Sequence, residues 1–117
     1  MNPEHARIVL CTAPGPTAAS QLARQLVSER LAACANIVPA VNSVFLWQGA
    51  LEEESEALMI LKTTEACYPA LERRLQQLHP YEVPEIIATT PSAGLDSYLA
   101  WLSQSTSPTF SSSADEP

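Results

Sequence analysis

Three cysteines and two histidines are the side chains of this 117-residue chain that could bind a soft metal ion or act as nucleophiles. They are Cys11, Cys34, Cys67, His5 and His79. Thiolate sulfur and imidazole nitrogen are both ligands of zinc and copper. The number of cysteines is odd and no CxxC is present, so a disulfide framework is not predicted. Reduced thiols are typical of the cytoplasm, and we expect a cytoplasmic protein.

Two of these side chains are the best candidates for chemistry, and each has two open interpretations. Cys11 ends an apolar run, residues 8–11, and is either a small buried hydrophobic residue or a metal contact. His79 ends a predicted helix before Pro80, and is either a terminal residue favoured by the helix dipole or an imidazole ligand. His5 lies in a predicted loose leader, so His79 is the better imidazole.

The other two cysteines are predicted to pack. Cys34 follows the first predicted helix in an Ala-rich segment. Cys67 lies in the first turn of the second predicted helix, where a helix N-terminus lowers the pKa of a thiol. It is therefore the better candidate for a reactive thiol, although packing is the favoured interpretation for both.

Several charged side chains and one tyrosine in the second half of the chain are further candidates for a binding site. Four of residues 52–56 are glutamates, and the run is either a solvated face or a weak site for hard cations. Glu82 and Glu85 either serve a cleft between subunits or are edge-strand charges that block aggregation. Lys62 either anchors an anion or ends a strand, and Tyr81 is predicted to be a packing aromatic.

Catalytic motifs are absent from the sequence. It contains no GxSxG, GxxxxGK[ST], GxGxxG or HExxH. Cys11 and His79 could form a nucleophile pair, but no side chain can be assigned to orient the histidine. We predict that the protein is not an enzyme.

The net charge and the apolar content of the chain limit the kinds of partner that we expect. The net charge of −7 repels phosphate, so neither nucleic acid nor an anionic membrane is expected as a partner. The longest apolar runs are about four residues, far below the ~20 that span a bilayer. Hydrophobic residues make up 46% of the chain, which is enough for a globular core in one domain.

The periodicity of apolar residues predicts strands and helices in the order β-α-β-β-α-β, followed by a terminal helix. The strands are predicted at residues 8–12, 36–48, 52–63 and 83–89. The helices are predicted at 17–33, at 65–79 with its main body from about 69, and at 95–102. This order predicts an α+β, ferredoxin-like antiparallel sheet with its first and third strands at the centre. Residues 1–6 are predicted to be a flexible leader, 7–104 the domain and 105–117 a disordered tail.

The second and third strands predict an oligomer. Residues 44–47 and 58–61 are apolar on both faces, whereas helices cover only one face of such a sheet. The two arms form a long hairpin that turns at Gln48-Gly49, and each spans ~40 Å, more than the ~34 Å diameter of the domain. An overhanging apolar arm needs a partner subunit, unless the hairpin bends back over its own core.

Six collinear segments together resemble one known family. They are VLCTAP (9–14), LAACANIVP (31–39), WQG (47–49), MILKTT (59–64), HPYEVPE (79–85) and YLAW (98–101). The chain resembles the CutA family of divalent-cation tolerance proteins from about Arg7 to Ser103. The resemblance implies a ferredoxin-like homotrimer, similar in architecture to the PII signalling proteins, with a link to copper and other divalent metals.

The resemblance also implies metal ligands. The family's copper site uses a first-strand cysteine and two adjacent histidines, which correspond to Cys11, Leu78 and His79. Leu78 cannot coordinate a metal, so the site is incomplete and a weak copper site is expected. Two functions follow: a trimeric metal-binding or metal-responsive module that uses Cys11 and His79, or a PII-like signalling trimer that binds a partner or small ligand between subunits.

Overall fold

The computed structural model describes residues 1–108. Its strands are β1 Ala6–Ala13, β2 Cys34–Trp47, β3 Ala50–Thr64 and β4 Ile87–Thr89. Its helices are α1 Pro16–Ser28, α2 Tyr68–Leu78 and α3 Asp96–Gln104, and a short 3₁₀ turn precedes β1. The predicted α+β order is confirmed. No helix within residues 1–108 combines the length and the apolar character that a membrane span requires.

The four strands form one antiparallel sheet in the order β2-β3-β1-β4, so β1 and β3 are central as predicted. Helices α1 and α2 cover one face, and the odd-numbered residues 9–13 of β1 and 57–61 of β3 belong to this core. The fully buried side chains there include Val9, Cys11, Leu26, Met59, Leu61, Leu71 and Leu75.

The β2–β3 hairpin extends well past the rest of the sheet. It turns at Gln48 and Gly49, whose φ angles of 54° and 85° suit a two-residue hairpin turn. β1 pairs with β3 only between Ala57 and Thr64. Among residues 1–108, the segments 41–47 and 50–56 therefore pair only with each other, and we call this two-stranded extension the ribbon. The overhang predicted from strand length is confirmed.

A β-bulge marks the base of the ribbon. Val38 pairs with Leu58 and Val41 pairs with Glu56, so two residues of β2 oppose one residue of β3. The bulge contains Pro39, which has no N–H to donate and is tolerated here because β2 is an edge strand.

Three predicted boundaries are wrong. Helix α1 ends at Ser28, not at residue 33, because Arg30 adopts a left-handed φ of 66° and the Ala33 N–H already bonds the Lys62 carbonyl. β4 begins at Ile87 rather than 83, because Pro84 has no N–H for a sheet ladder. The leader ends before Ala6, which is 2% exposed within β1.

The start of the predicted disordered tail is also too early. Thr106 Oγ1 lies 3.2 Å from the Leu102 carbonyl oxygen, and the Ser107 N–H donates to the Arg30 carbonyl at 2.9 Å. Residues 105–107 are therefore packed against the domain. The remainder of that prediction, residues 109–117, lies outside the described residues.

One ion pair joins the two helices of the core. Arg74 Nε and Nη2 each lie 2.9 Å from a carboxylate oxygen of Glu29, which is 7% exposed. Burial pushes the pKa of Glu29 upward, but hydrogen bonds from Arg74 and Gln25 and the Arg74 charge outweigh it. The pKa of Glu29 consequently lies below its ordinary value of 4.5.

We predict that Arg74→Met lowers the free energy of unfolding by about 1–3 kcal/mol at neutral pH, because it removes the charged partner of a mostly buried carboxylate and leaves it the hydrogen bond from Gln25 alone. A lowered folded-state pKa means that the ion pair contributes above the ordinary glutamate pKa and is lost as pH falls through the lowered value. The difference between wild type and variant, measured by urea unfolding, should therefore shrink in acid. Arg73→Met, at an exposed position of the same helix, is the control. An Arg74→Met deficit that is unchanged in acid would contradict this account.

Candidate functional site

The sheet face opposite α1 and α2 is largely apolar and lacks a helical layer. On β1 and β3 it presents four half-buried side chains outside the main core: Ile8, Leu10, Leu58 and Ile60. Val38 and Ile87 flank them and are 38% and 59% exposed. We call this surface the open face. Helix α3 reaches one end of it, where the Tyr98 hydroxyl lies 3.7 Å from Cys34 Sγ.

The ribbon continues the open face with aromatic and acidic side chains. Beyond the bulge, Ser43 pairs with Glu54 and Phe45 pairs with Glu52, on the side shared with Leu58. Phe45 and Trp47 are 39% and 48% exposed there. The opposite side of the ribbon is also exposed and apolar, through Val44, Leu46 and Leu51.

A cleft of about 940 Å³ lies between the ribbon, the end of β1 and the segment that joins α2 to β4. Five carboxylates line it: Glu52, Glu54, Glu56, Glu82 and Glu85. Its aromatic lining is Phe45, Trp47 and Tyr81. Within residues 1–108, no lysine or arginine lines this cleft. We call it the acidic cleft.

Cys11 is fully buried on the core side of β1. Its thiol donates a long hydrogen bond to the Thr12 carbonyl, with Sγ and oxygen 3.6 Å apart. Burial, followed by the negative charges of Glu85 and Glu56, raises the pKa of Cys11 to about 12. The thiol is therefore protonated at neutral pH, whereas a metal ligand must be the thiolate.

His79 caps the C-terminus of α2, and its N–H donates to the Leu75 carbonyl at 2.9 Å. The residue is 7% exposed, and its Nε2 lies 2.8 Å from the Thr12 carbonyl oxygen. The other ring nitrogen, Nδ1, lies 3.1 Å from the backbone nitrogen of Tyr81. Both nitrogens of the imidazole are thus engaged inside the protein.

The residues present do not fit a copper ion in this arrangement. The structure brings Cys11 and His79 to the same carbonyl, that of Thr12, but the thiol of Cys11 is protonated and both ring nitrogens of His79 are in hydrogen bonds. Leu78, at the position of the family's other histidine, packs against the core. In the described part of the chain, no three His, Cys, Asp or Glu side chains form a group that could hold a metal ion.

The remaining candidates are structural. Cys67 is 1% exposed at the start of α2, so it packs, as does the half-buried Cys34. The Lys62 amine donates to the side-chain oxygen of Asn36 rather than to an anion. Sequence reasoning missed the role of Tyr81, whose hydroxyl donates to Glu56 Oε2 at 2.5 Å. No signal in the sequence links these two residues, because they are 25 positions apart.

Comparison with known proteins identifies the family. A family model described as CutA1 divalent ion tolerance protein matches residues 7–105. The divalent-cation tolerance protein CutA of Thermus thermophilus is 46% identical over 99 residues, which cover 85% of this chain and 96% of that protein.

Solved structures agree in fold over almost the same range. The crystal structure of CutA1 from Oryza sativa matches with a TM-score of 0.87 and 40% identity, over 90% of this chain and 96% of that one. The structure of a protein from Archaeoglobus fulgidus, described as periplasmic divalent cation tolerance protein CutA, matches with a TM-score of 0.83 and 31% identity over 86% and 97%. This chain belongs to the CutA1 family of divalent ion tolerance proteins.

Proposed function

We propose that this protein acts in divalent-cation tolerance as a homotrimer that binds divalent cations weakly and reversibly in the acidic cleft. The observation that carries the proposal is the lining of that cleft, five carboxylates in a chain with a net charge of −7. Clefts lined by one sign of charge raise the local concentration of counter-ions. Oxygen ligands favour hard cations, and the separation of the carboxylates favours weak binding.

The open face and the ribbon support the homotrimer. Together they expose apolar side chains along one side of the molecule, on either side of the carboxylates of the acidic cleft. On the other side of the ribbon, Leu46 and Leu51 are 72% and 73% exposed. Contiguous apolar surfaces of this kind mark interaction sites. A second and a third copy of the chain would cover them and enclose the acidic cleft between subunits.

Copper at Cys11 and His79 stays a prediction that the protomer does not favour. Binding there would require deprotonation of a buried thiol and release of an engaged imidazole nitrogen. The same two features support the proposal that the protein is not an enzyme, since a nucleophilic cysteine needs a thiolate and a free base.

A PII-like role, in which the trimer binds a small ligand or a partner, is the second candidate. The observation that favours it is the aromatic lining of the cleft, since Phe45, Trp47 and Tyr81 offer stacking surfaces that a bare cation does not need. We place the protein in the cytoplasm because its three cysteines are free, although the Archaeoglobus relative is described as periplasmic.

The test of cation binding uses the double variant Glu52→Gln, Glu54→Gln. We expect equilibrium dialysis with Mn²⁺ at low salt to give an apparent Kd at least about fivefold weaker than that of wild type, because two charges leave the cleft wall. The control, Glu4→Gln with Glu72→Gln, removes the same charge from exposed positions elsewhere. Equal weakening in both variants would show that only net charge matters, and would contradict a site in the cleft.

A further inference from the structure

The segment between α2 and β4, residues 79–86, forms one wall of the acidic cleft without belonging to a helix or strand. It contains two prolines, Pro80 and Pro84, which cannot donate backbone hydrogen bonds. Side chains must therefore hold much of this segment in place, and the hydrogen bonds around His79 do so.

The partners of His79 fix its protonation state. A backbone N–H can only donate, so Nδ1 must offer its lone pair to the N–H of Tyr81. A carbonyl oxygen can only accept, so Nε2 must carry the hydrogen that Thr12 receives. The ring is therefore the neutral Nε2–H tautomer, and its only lone pair is already in use.

Tyr81 extends this connection to the base of the ribbon. Its ring lies 4.7 Å from that of His79, centroid to centroid, and its hydroxyl donates to Glu56. Glu56 is 8% exposed, so its carboxylate depends on this partner. Burial, and then the hydrogen bond to Glu56, raises the pKa of Tyr81, which keeps the hydroxyl protonated as a donor.

We propose that His79 is a positioning residue rather than a metal ligand. Its neutral Nε2–H form links the Thr12 carbonyl of β1 to the backbone N–H of Tyr81, and the Tyr81 hydroxyl in turn binds Glu56. These hydrogen bonds hold the cleft wall in place. The inference deepens the proposed function, because the position of Glu82 and Glu85 in the cleft depends on this wall. A metal ion that binds either ring nitrogen must break one of the two hydrogen bonds and loosen the wall.

The first test reads the tautomer directly in the full chain labelled with ¹⁵N-histidine. We expect long-range ¹H–¹⁵N spectra at neutral pH to show one protonated nitrogen, Nε2, and one unprotonated nitrogen, Nδ1, for His79. The exposed His5 serves as the internal reference. Addition of one equivalent of Zn²⁺ per chain should leave both His79 signals in place. A shift of either signal to a metal-bound position would overturn the proposal.

The second test measures hydrogen exchange at the Tyr81 amide and its neighbours. We expect exchange about tenfold faster in His79→Ala and in Tyr81→Phe, since each removes a hydrogen bond of the wall. His79→Asn should partly restore protection, because its side-chain oxygen can accept from the Tyr81 N–H. Tyr68→Phe, the same change on α2, is the control and should exchange as wild type does.

The two proposals can fail separately. Wild-type exchange in both His79→Ala and Tyr81→Phe would overturn the positioning role, whatever the cleft binds. If the glutamate variants do not weaken Mn²⁺ binding, the proposed function is contradicted. The positioning role of His79 is still tested in that case, by its tautomer and by the protection of the Tyr81 amide from exchange. Should His79→Ala fail to fold, the wild-type spectra and Tyr81→Phe suffice.

Discussion

Ile60→Lys is expected to convert the proposed homotrimer into monomers at micromolar concentration. Ile60 lies at the centre of the open face, where it pairs with Leu10 on one side and Asn36 on the other. In a trimer that covers this face, the substitution would bury an unpaired ammonium, which costs several kcal/mol per subunit unless the interface opens. The core does not include Ile60, so the folded monomer should survive.

Light scattering and native mass spectrometry measure the outcome, with circular dichroism to verify the fold. Gln76→Lys, on the exposed side of α2, adds the same charge away from the open face and should leave the mass of the trimer unchanged. A monomeric wild type would contradict the homotrimer. A trimeric Ile60→Lys would instead show that another surface makes the interface.

Leu61→Ala is expected to lower the free energy of unfolding by about 2–5 kcal/mol, the usual cost of a cavity at a buried leucine. Leu61 is fully buried in a central strand, between Val9 of β1 and Ala35 of β2. The surrounding backbone is fixed by ladders on both sides, so it cannot collapse far into the cavity.

Urea unfolding at one fixed protein concentration measures this cost, because association of subunits in the proposed homotrimer would add to the stability. Leu61→Met keeps the volume of the side chain and should cost less than about 1.5 kcal/mol. A similar cost for the two substitutions would contradict the placement of Leu61 in a tightly packed core.

Local patterns were enough to predict the order of the strands and helices, the central position of β1 and β3 and the turn at Gln48. Apolar periodicity and turn propensity act over a few neighbouring residues, and both can be read from the chain. The end of α1 was missed because Arg30 adopts a left-handed φ that is uncommon outside glycine. The length of β4 was missed because Pro84 has no N–H to pair with, and the ladder with β1 begins only at Ile87.

The candidate site, like the fold, could be predicted from the sequence only in part. The sequence and the family resemblance indicated Cys11 and His79, but coordination needs a thiolate and a free ring nitrogen, and residue type reveals neither. Both side chains meet the Thr12 carbonyl, a contact across 67 positions for His79. The contact between Tyr81 and Glu56 also exists only once β3 and the segment after α2 are brought together.

The bulge at Pro39 has a consequence for how the cleft could change during evolution. Val38 pairs with Leu58 before the bulge and Val41 pairs with Glu56 after it, so the ladder absorbs the extra residue of β2. Loss of one residue there would leave Phe45 opposite Glu52, because residues paired across a ladder share one side of it. Since a bulge bends and twists its strand, insertions and deletions at this point are a route by which a descendant of this chain would re-aim the ribbon while it keeps the side chains that line the cleft.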